Sequence, residues 1–245
     1  LARNRKYISY CLYGDNPLYS EGLIENLTLS QELYPTWQPI VYLDSRKYPE
    51  LGPLLESNGA HVVSVFVSNL SDRQLLIQGM FWRLKALELP DASHIIFRDC
   101  DSRISMRERV AVEAWLASDT DFHFMYDHPY HTVPILGGMW GCRGGLVDRT
   151  ELAIDEFHQR FMEADPYWPQ CDQSFLREYI WSKFAKHGTY LAHGLQELSE
   201  FYAQNDIKAV PFPTAPDASR DLDFHGGYVG KMIVTRNSQV KAQKK

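Results

Sequence analysis

The sequence predicts an α/β fold with a mainly parallel central sheet flanked by helices, and three observations carry that expectation. Short apolar runs of strand length alternate with amphipathic stretches of helix length through the N-terminal half. Two of the runs end in acidic or glycine-bearing turns, Tyr13-Gly14-Asp15 and Asp99-Cys100-Asp101, as strands of a parallel sheet do where they face a ligand. The chain has 245 residues, 44% hydrophobic and 23% charged, enough for one large core. We expect a single domain over residues 1–235 and a basic, frayed tail over 236–245.

Taken in order, Lys6 to Tyr13 reads as the first strand, and Gly14-Asp15-Asn16-Pro17 breaks it before an apolar-periodic helix that runs to about Leu33. A second strand spans Pro39 to Leu43, a helix Tyr48 to Ser57, and a third strand His61 to Val67. Gln74 to Leu89 carries Leu76, Met80, Leu84 and Leu87 on one helical face, and Leu89-Pro90-Asp91 stops it before the apolar run that ends at Asp99. Beyond Asp101 we expect a helix over Arg107 to Ala117 and a strand over Phe122 to Tyr126. An irregular Pro- and Gly-rich passage follows from Pro129 to Gly145. Helices are expected over Glu151 to Glu163 and Asp172 to Phe184, then a strand from Thr189 to Ala192, then mostly loop.

The bulk numbers exclude several function classes. A net charge of -6 argues against a nucleic-acid binder, which carries a basic face. No apolar run reaches the roughly 20 residues that span a bilayer, so no transmembrane segment is expected. Cys11, Cys100, Cys142 and Cys171 are widely spaced, which fits reduced thiols in a cytoplasmic setting, peripheral to a membrane or within a longer chain. The triplets at Asn26 and Asn69 are at chance level.

Asp99 and Asp101 carry the chemistry. Side chains alternate along an extended segment, so the two carboxylates share a face, roughly 7 Å apart at Cα. Both can reach one hard cation, manganese or magnesium, which keeps coordination positions open for phosphate oxygens. For an isolated Asp-x-Asp the plain reading is a turn after a strand.

The wider pattern resembles the GT-A fold of nucleotide-sugar-dependent glycosyltransferases, and within it glycosyltransferase family eight, the group of glycogenin, galactinol synthase and lipopolysaccharide galactosyltransferase. The likeness rests on Arg83 upstream of the acidic pair, the Leu89-Pro90 turn, Gly137-Gly138, Asp172-Gln173, and His225 with Lys231 six positions later. The chain departs from the family at Leu136, Ser174 and Met232-Ile233. The resemblance implies His225 as third metal ligand, Lys231 and Arg83 on the donor phosphates, and Tyr13, Gly14 and Asp15 around base and ribose. It also implies Gly137 and Gly138 near the donor, and Asp172 with Gln173 beside the anomeric centre. The implied reaction moves a sugar from a nucleoside-diphosphate sugar to a glycan or lipid-linked hydroxyl. The family likeness favours retention of configuration, whereas Asp172 acting as a base on the acceptor inverts it.

Asp127, in the Asp127-His128-Pro129-Tyr130-His131 run, is the catalytic candidate after Asp172 for deprotonating the acceptor or shielding the oxocarbenium ion, and a candidate for contact with sugar hydroxyls. His123, His128 and His131 match no zinc spacing. Trp115, Trp168 and Trp181 read as packing residues. Two alternatives stand beside the transferase: a sugar nucleotidyltransferase, which lacks a Gly-rich, lysine-bearing loop here, and a non-catalytic interaction module on the same scaffold.

Overall fold

A computed structural model describes residues 2–66, 71–147, 150–164, 171–215 and 228–233. Its N-terminal half runs β1 (Arg5–Leu12), α1 (Pro17–Leu33), β2 (Trp37–Asp44), α2 (Leu51–Ser57), β3 (His61–Val65), α3 (Asp72–Gly79), a 3-10 helix (Trp82–Glu88) and β4 (Ala92–Phe97). Then come α4 (Met106–Ala117), β5 (Phe122–Tyr126), β6 (Trp140–Arg143), α5 (Thr150–Ala164), α6 (Cys171–Phe175) with a π-helix (Leu176–Trp181), β7 (Tyr190–Gly194), α7 (Ser199–Asn205) and β8 (Ala209–Val210).

The strands form one sheet in the order β3-β2-β1-β4-β6-β5-β7-β8. Only β6 runs against its neighbours, β4 and β5; every other pair is parallel. The carboxyl ends of all strands but β6 therefore share one edge. Alternation along β1 and β4 divides the core. Tyr7 and Phe97 belong to the cluster on one face, while Ile8 and Ile96 join Leu23, Leu27 and Trp115 on the other. α1 starts where Asn16 accepts the Leu18 N–H at 3.1 Å and Pro17 opens the first turn, and it buries Leu18, Leu23 and Leu27.

The structure departs from the sequence reading in three places. The continuous helix expected over Gln74 to Leu89 is broken after Gly79, a residue whose missing Cβ leaves room for the Tyr13 ring. The break brings Trp82 edge-on to Tyr13, with ring centroids 5.8 Å apart. The irregular passage from Pro129 to Gly145 contains β6, whose Trp-Gly-Cys-Arg run shows no period of its own. Pairing with β4 and β5 makes it a strand, and Phe97 stacks on Trp140 at 4.2 Å. The stretch beyond Ala192, expected as loop, holds α7 and β8, elements too short to show a pattern. The expected tail over 236–245 lies outside the described residues.

Candidate active site

A cavity of about 520 Å³ opens beyond the carboxyl ends of β1 and β4. Tyr13, Gly14 and Asp15 from the β1 end, Asp99 and Asp101 from the β4 end, Arg83, Gly137, and Asp172 with Gln173 all line it. Among the described residues, the site residues expected from sequence thus converge on one volume, apart from Gly138, Lys231 and Asp127.

Arg98 continues the β4 ladder, donating its N–H to Ser9 O at 3.1 Å, so the next residue turns toward the cavity. The Arg98 side chain goes the other way, into a buried pair with Glu108 at 2.7 Å. Asn26 of α1 holds the turn that follows: its amide donates to Ser102 O at 2.8 Å and its oxygen accepts the Ile104 N–H at 3.1 Å. Gly22 lets Cys100 O and the Arg103 guanidinium pass close to α1, because a Cβ there would overlap both. In the sequence Asn26 showed only as the start of a chance-level triplet, and Gly22 not at all.

The two acids differ in environment. Asp99 is 42% exposed and paired with Arg83. Burial, reinforced by the neighbouring Asp99 charge, pushes the Asp101 carboxyl up to about 6. The same two charges, after burial, raise the phenol of Tyr19, a cavity residue in the first turn of α1 that the sequence reading missed.

Arg83 is the hub. Its Nη1 donates to Asp99 Oδ1, and its Nη2 donates to Asp172 Oδ2 at 2.8 Å. Burial opposes its charge, but Asp99 and Asp172 outweigh that and hold it firmly protonated. Asp172 is buried at the start of α6, where burial raises its pKa against the lowering effect of Arg83; its Oδ1 accepts the Gln173 N–H at 2.9 Å. The two glycines exist for this network. A Cβ on Gly137 would stand 2.5 Å from Arg83 Nη2 and 2.8 Å from Asp172 Oδ2, and one on Gly138 would overlap the Asp99 carboxylate. Gly138 therefore backs Asp99 from outside the cavity wall. Gly14, at φ +75°, turns the chain out of β1 in a conformation that other residues rarely adopt.

Two more of the expected residues stand elsewhere. Asp127 does not line the cavity: it is buried at the end of β5, and its carboxylate is taken by Arg107 at 2.6 and 2.8 Å. Lys231 lies on the 228–233 segment, its Nζ 6.0 Å from the Tyr228 ring, and its neighbour Met232 reaches the cavity wall. His225 lies outside the described residues, as does Trp168. Trp115 and Trp181 are core residues, and the buried His123 pairs with His193 at 2.9 Å.

Among the described residues no cluster of three or more His, Cys, Asp or Glu could by itself hold a metal ion. The donor set at the cavity nevertheless fits a hard divalent cation. It offers two carboxylates, one of them resisting ionisation beside the other, a repulsion that a cation relieves.

No family model matches the sequence, and no curated protein matches it. Among solved structures, a glycosyltransferase involved in the glycosylation of the major capsid of PBCV-1 superposes with a TM-score of 0.50 at 12% identity, covering 84% of this chain and 91% of that one. The chain has a GT-A fold. Two more distant likenesses are a 4-diphosphocytidyl-2C-methyl-D-erythritol synthase from Anaerococcus prevotii and a mannosyltransferase from Pyrobaculum calidifontis in complex with GDP-Man and Mn2+. The first has a TM-score of 0.45 at 12% identity, covering 98% of this chain and 97% of that one. The second has a TM-score of 0.43 at 15% identity, covering 60% and 47%. At such identities the likeness speaks to architecture, and in this GT-A sheet the cavity lies at the carboxyl edge. No helix among the described residues is long and apolar enough to cross a membrane.

Proposed function

We propose that this chain is a metal-dependent glycosyltransferase that moves a sugar from a nucleoside diphosphate to a hydroxyl on a glycan, polysaccharide or glycolipid. The observation that carries the reading is the convergence of Asp99, Asp101, Arg83 and Asp172 on one cavity of a GT-A sheet. A volume of about 520 Å³ suits a nucleotide-sized ligand.

Asp99 and Asp101 would hold Mn2+ or Mg2+, with His225 as the third ligand that the family likeness supplies. Bound there, the cation provides Lewis-acid stabilisation of the charge that builds on the leaving diphosphate. Tyr13, Gly14 and Asp15 form the end of the cavity suited to base and ribose. Arg83 is already desolvated and charged, so it can meet a phosphate oxygen without further cost of burial. Lys231 stands on the segment that borders the same cavity and offers a second cation.

Asp172 answers the stereochemical question in this reading. One of its oxygens accepts from Arg83 and the other from the Gln173 N–H. Burial raises its pKa, so basicity does not exclude it as a proton acceptor; what the two hydrogen bonds fix is its orientation, and ionised beside Arg83 it can stabilise an oxocarbenium-like sugar. That favours retention, with Gln173 on the same face. The nucleotidyltransferase alternative finds no support in the loop after β1, where Tyr13-Gly14-Asp15-Asn16-Pro17 offers no cationic side chain for a triphosphate.

The test is a panel of nucleotide sugars with Mn2+, scoring nucleoside-diphosphate release against the Asp101→Ala variant. A donor turned over by the native chain and not by the variant supports the proposal, and NMR of the product anomer then assigns Asp172. Equal release by both proteins across the panel, with acceptors present, refutes it.

A further inference from the structure

Resting on the diphosphate reading of the cavity, we infer that the buried Arg107–Asp127 pair is a positioning device. It buckles residues 228–233 across the carboxyl edge of the sheet and so sets where Met232 stands in the wall of the donor site and where Lys231 stands beside it.

The pair's location and partners motivate this. Both side chains are almost fully buried, 5% and 1% exposed, with two hydrogen bonds between them. Two charges taken out of water are costly to keep, and such pairs persist where they define a geometry. What this pair defines is the path of the C-terminal chain. Arg107 Nη1 donates to Thr214 O, and the guanidinium lies 4.1 Å from the Phe212 ring centroid. Asp127 Oδ2 accepts the Val229 N–H at 2.9 Å. The same ion pair thus holds both C-terminal segments against the sheet.

From Asp127 the strap can be followed to the metal motif. Val229 is buried in a cluster with Ala111, Met125 and Met139. Gly230 turns the chain at φ +85°, pressed so close to Met139 that a Cβ would stand 2.5 Å from its sulfur. Lys231 follows, then Met232 bridges to Ser102 and lines the cavity, and the Ile233 N–H donates to Asp101 O at 2.8 Å. The strap is pinned at Asp127 beyond β5 and at Asp101 beyond β4, two ends separated by β6, about 10 Å of sheet. Lys231 sits between the pins. Releasing the Asp127 pin frees the end of the strap from which Lys231 is aimed, while Asp99, Asp101, Arg83 and Asp172 stay in place. Asp127 thereby acts on the donor through Lys231 and touches no sugar.

Two variants test this, read by hydrogen exchange and by donor kinetics. Asp127→Asn weakens the pin. Val229→Pro removes the strap's N–H while leaving the Arg107–Asp127 pair whole, which guards against misfolding from an unpaired buried arginine. In both we expect amide exchange at Lys231 and Ile233 to rise at least ten-fold, with protection of β1, β2 and β4 unchanged. We also expect the donor KM to rise about ten-fold with the acceptor KM unmoved. Asp127→Asn combined with Lys231→Ala should be no worse than Lys231→Ala alone, because both act through one ammonium group. Faster exchange throughout the sheet overturns the inference in favour of a purely structural pair. A multiplicative double variant, or a rise confined to the acceptor KM, overturns it in favour of direct sugar contact. Should the native chain turn over no nucleotide sugar, the functional reading fails, whereas exchange at 228–233 still decides whether the buckle exists.

Discussion

Titrating Mn2+ against pH isolates the acidic pair, because one of its members ionises inside the accessible range. Burial and the adjacent Asp99 raise the Asp101 carboxyl from 3.8 to about 6, and a cation must displace that proton to bind. The competition factor is one plus ten raised to the difference between pKa and pH. With a pKa of about 6, apparent affinity is within about 10% of its limit at pH 7, roughly halved at pH 6 and about 11-fold weaker at pH 5. Ten-fold corresponds to about 1.4 kcal/mol. The stability of the metal-free protein moves in the opposite sense. A carboxyl raised on folding contributes stability that is fully present below 3.8 and is lost as pH rises through about 6. Metal-free protein should therefore gain from Asp101 on mild acidification while its response to Mn2+ declines. Calorimetric titration of Mn2+ with a nucleoside diphosphate at pH 5, 6 and 7, beside melting curves without metal, measures both. Asp101→Asn should bind weakly and with a shallower slope, that of the remaining proton competitors, the His225 imidazole and the diphosphate. A native affinity that is flat from pH 5 to 7, or a slope that is as steep in Asp101→Asn as in the native protein, refutes the assignment of Asp101 as a ligand.

Two further substitutions probe the scaffold around the pair. Gly138→Ala should drive a methyl group into the Asp99 carboxylate, costing about 1–3 kcal/mol of stability by overpacking, and should depress nucleotide binding with Mn2+; chemical denaturation and calorimetry read the two effects. Asn26→Ala leaves the buried Ile104 N–H and Ser102 O without their partner, so a loss of about 1–3 kcal/mol in urea denaturation is expected. If the turn after β4 depends on Asn26, Mn2+ affinity in that variant falls by more than the stability loss alone produces at a temperature where the protein stays folded.

The N-terminal half was largely legible because each of its elements carries its own signal. β1 and β4 are apolar runs buried on both faces, α1 opens on an Asn-Pro cap, and the breaks after β1, β2 and β4 are written in Gly or Asp. Asp99 and Asp101 both line the cavity, but the chain bends at Cys100 and Asp101 beyond the end of β4, so strand alternation is not what brings them together. The residues that shape their surroundings could not be read from the sequence, since their partners lie far along the chain. Arg83 and Asp172 are 89 positions apart and Asn26 and Ser102 are 76 apart; neither partner announces the other. Asp127 shows the limit most clearly. An acid among aromatic and histidine residues at a strand end suggests a ligand contact. Its actual partner, Arg107, sits in the first turn of α4, where an arginine reads as a solvated face.

The C-terminal half was harder to read for a reason that also bears on the chemistry. β6 is held as a strand by its neighbours, and glycines on and beside it let backbone come close: Gly141 against Ile95 O, Gly138 against Asp99, Gly137 against Arg83 and Asp172. Such residues have no side chain to pattern, so periodicity is silent where the site is most constrained. Their absence of volume is what lets one guanidinium reach two carboxylates from different ends of the fold. The Arg83 bridge is a fixed electrostatic element, formed at the expense of side-chain freedom before any ligand arrives. Under the proposed function, a diphosphate entering the cavity would then meet oriented charges, the reorganisation that water requires having been done once, on folding.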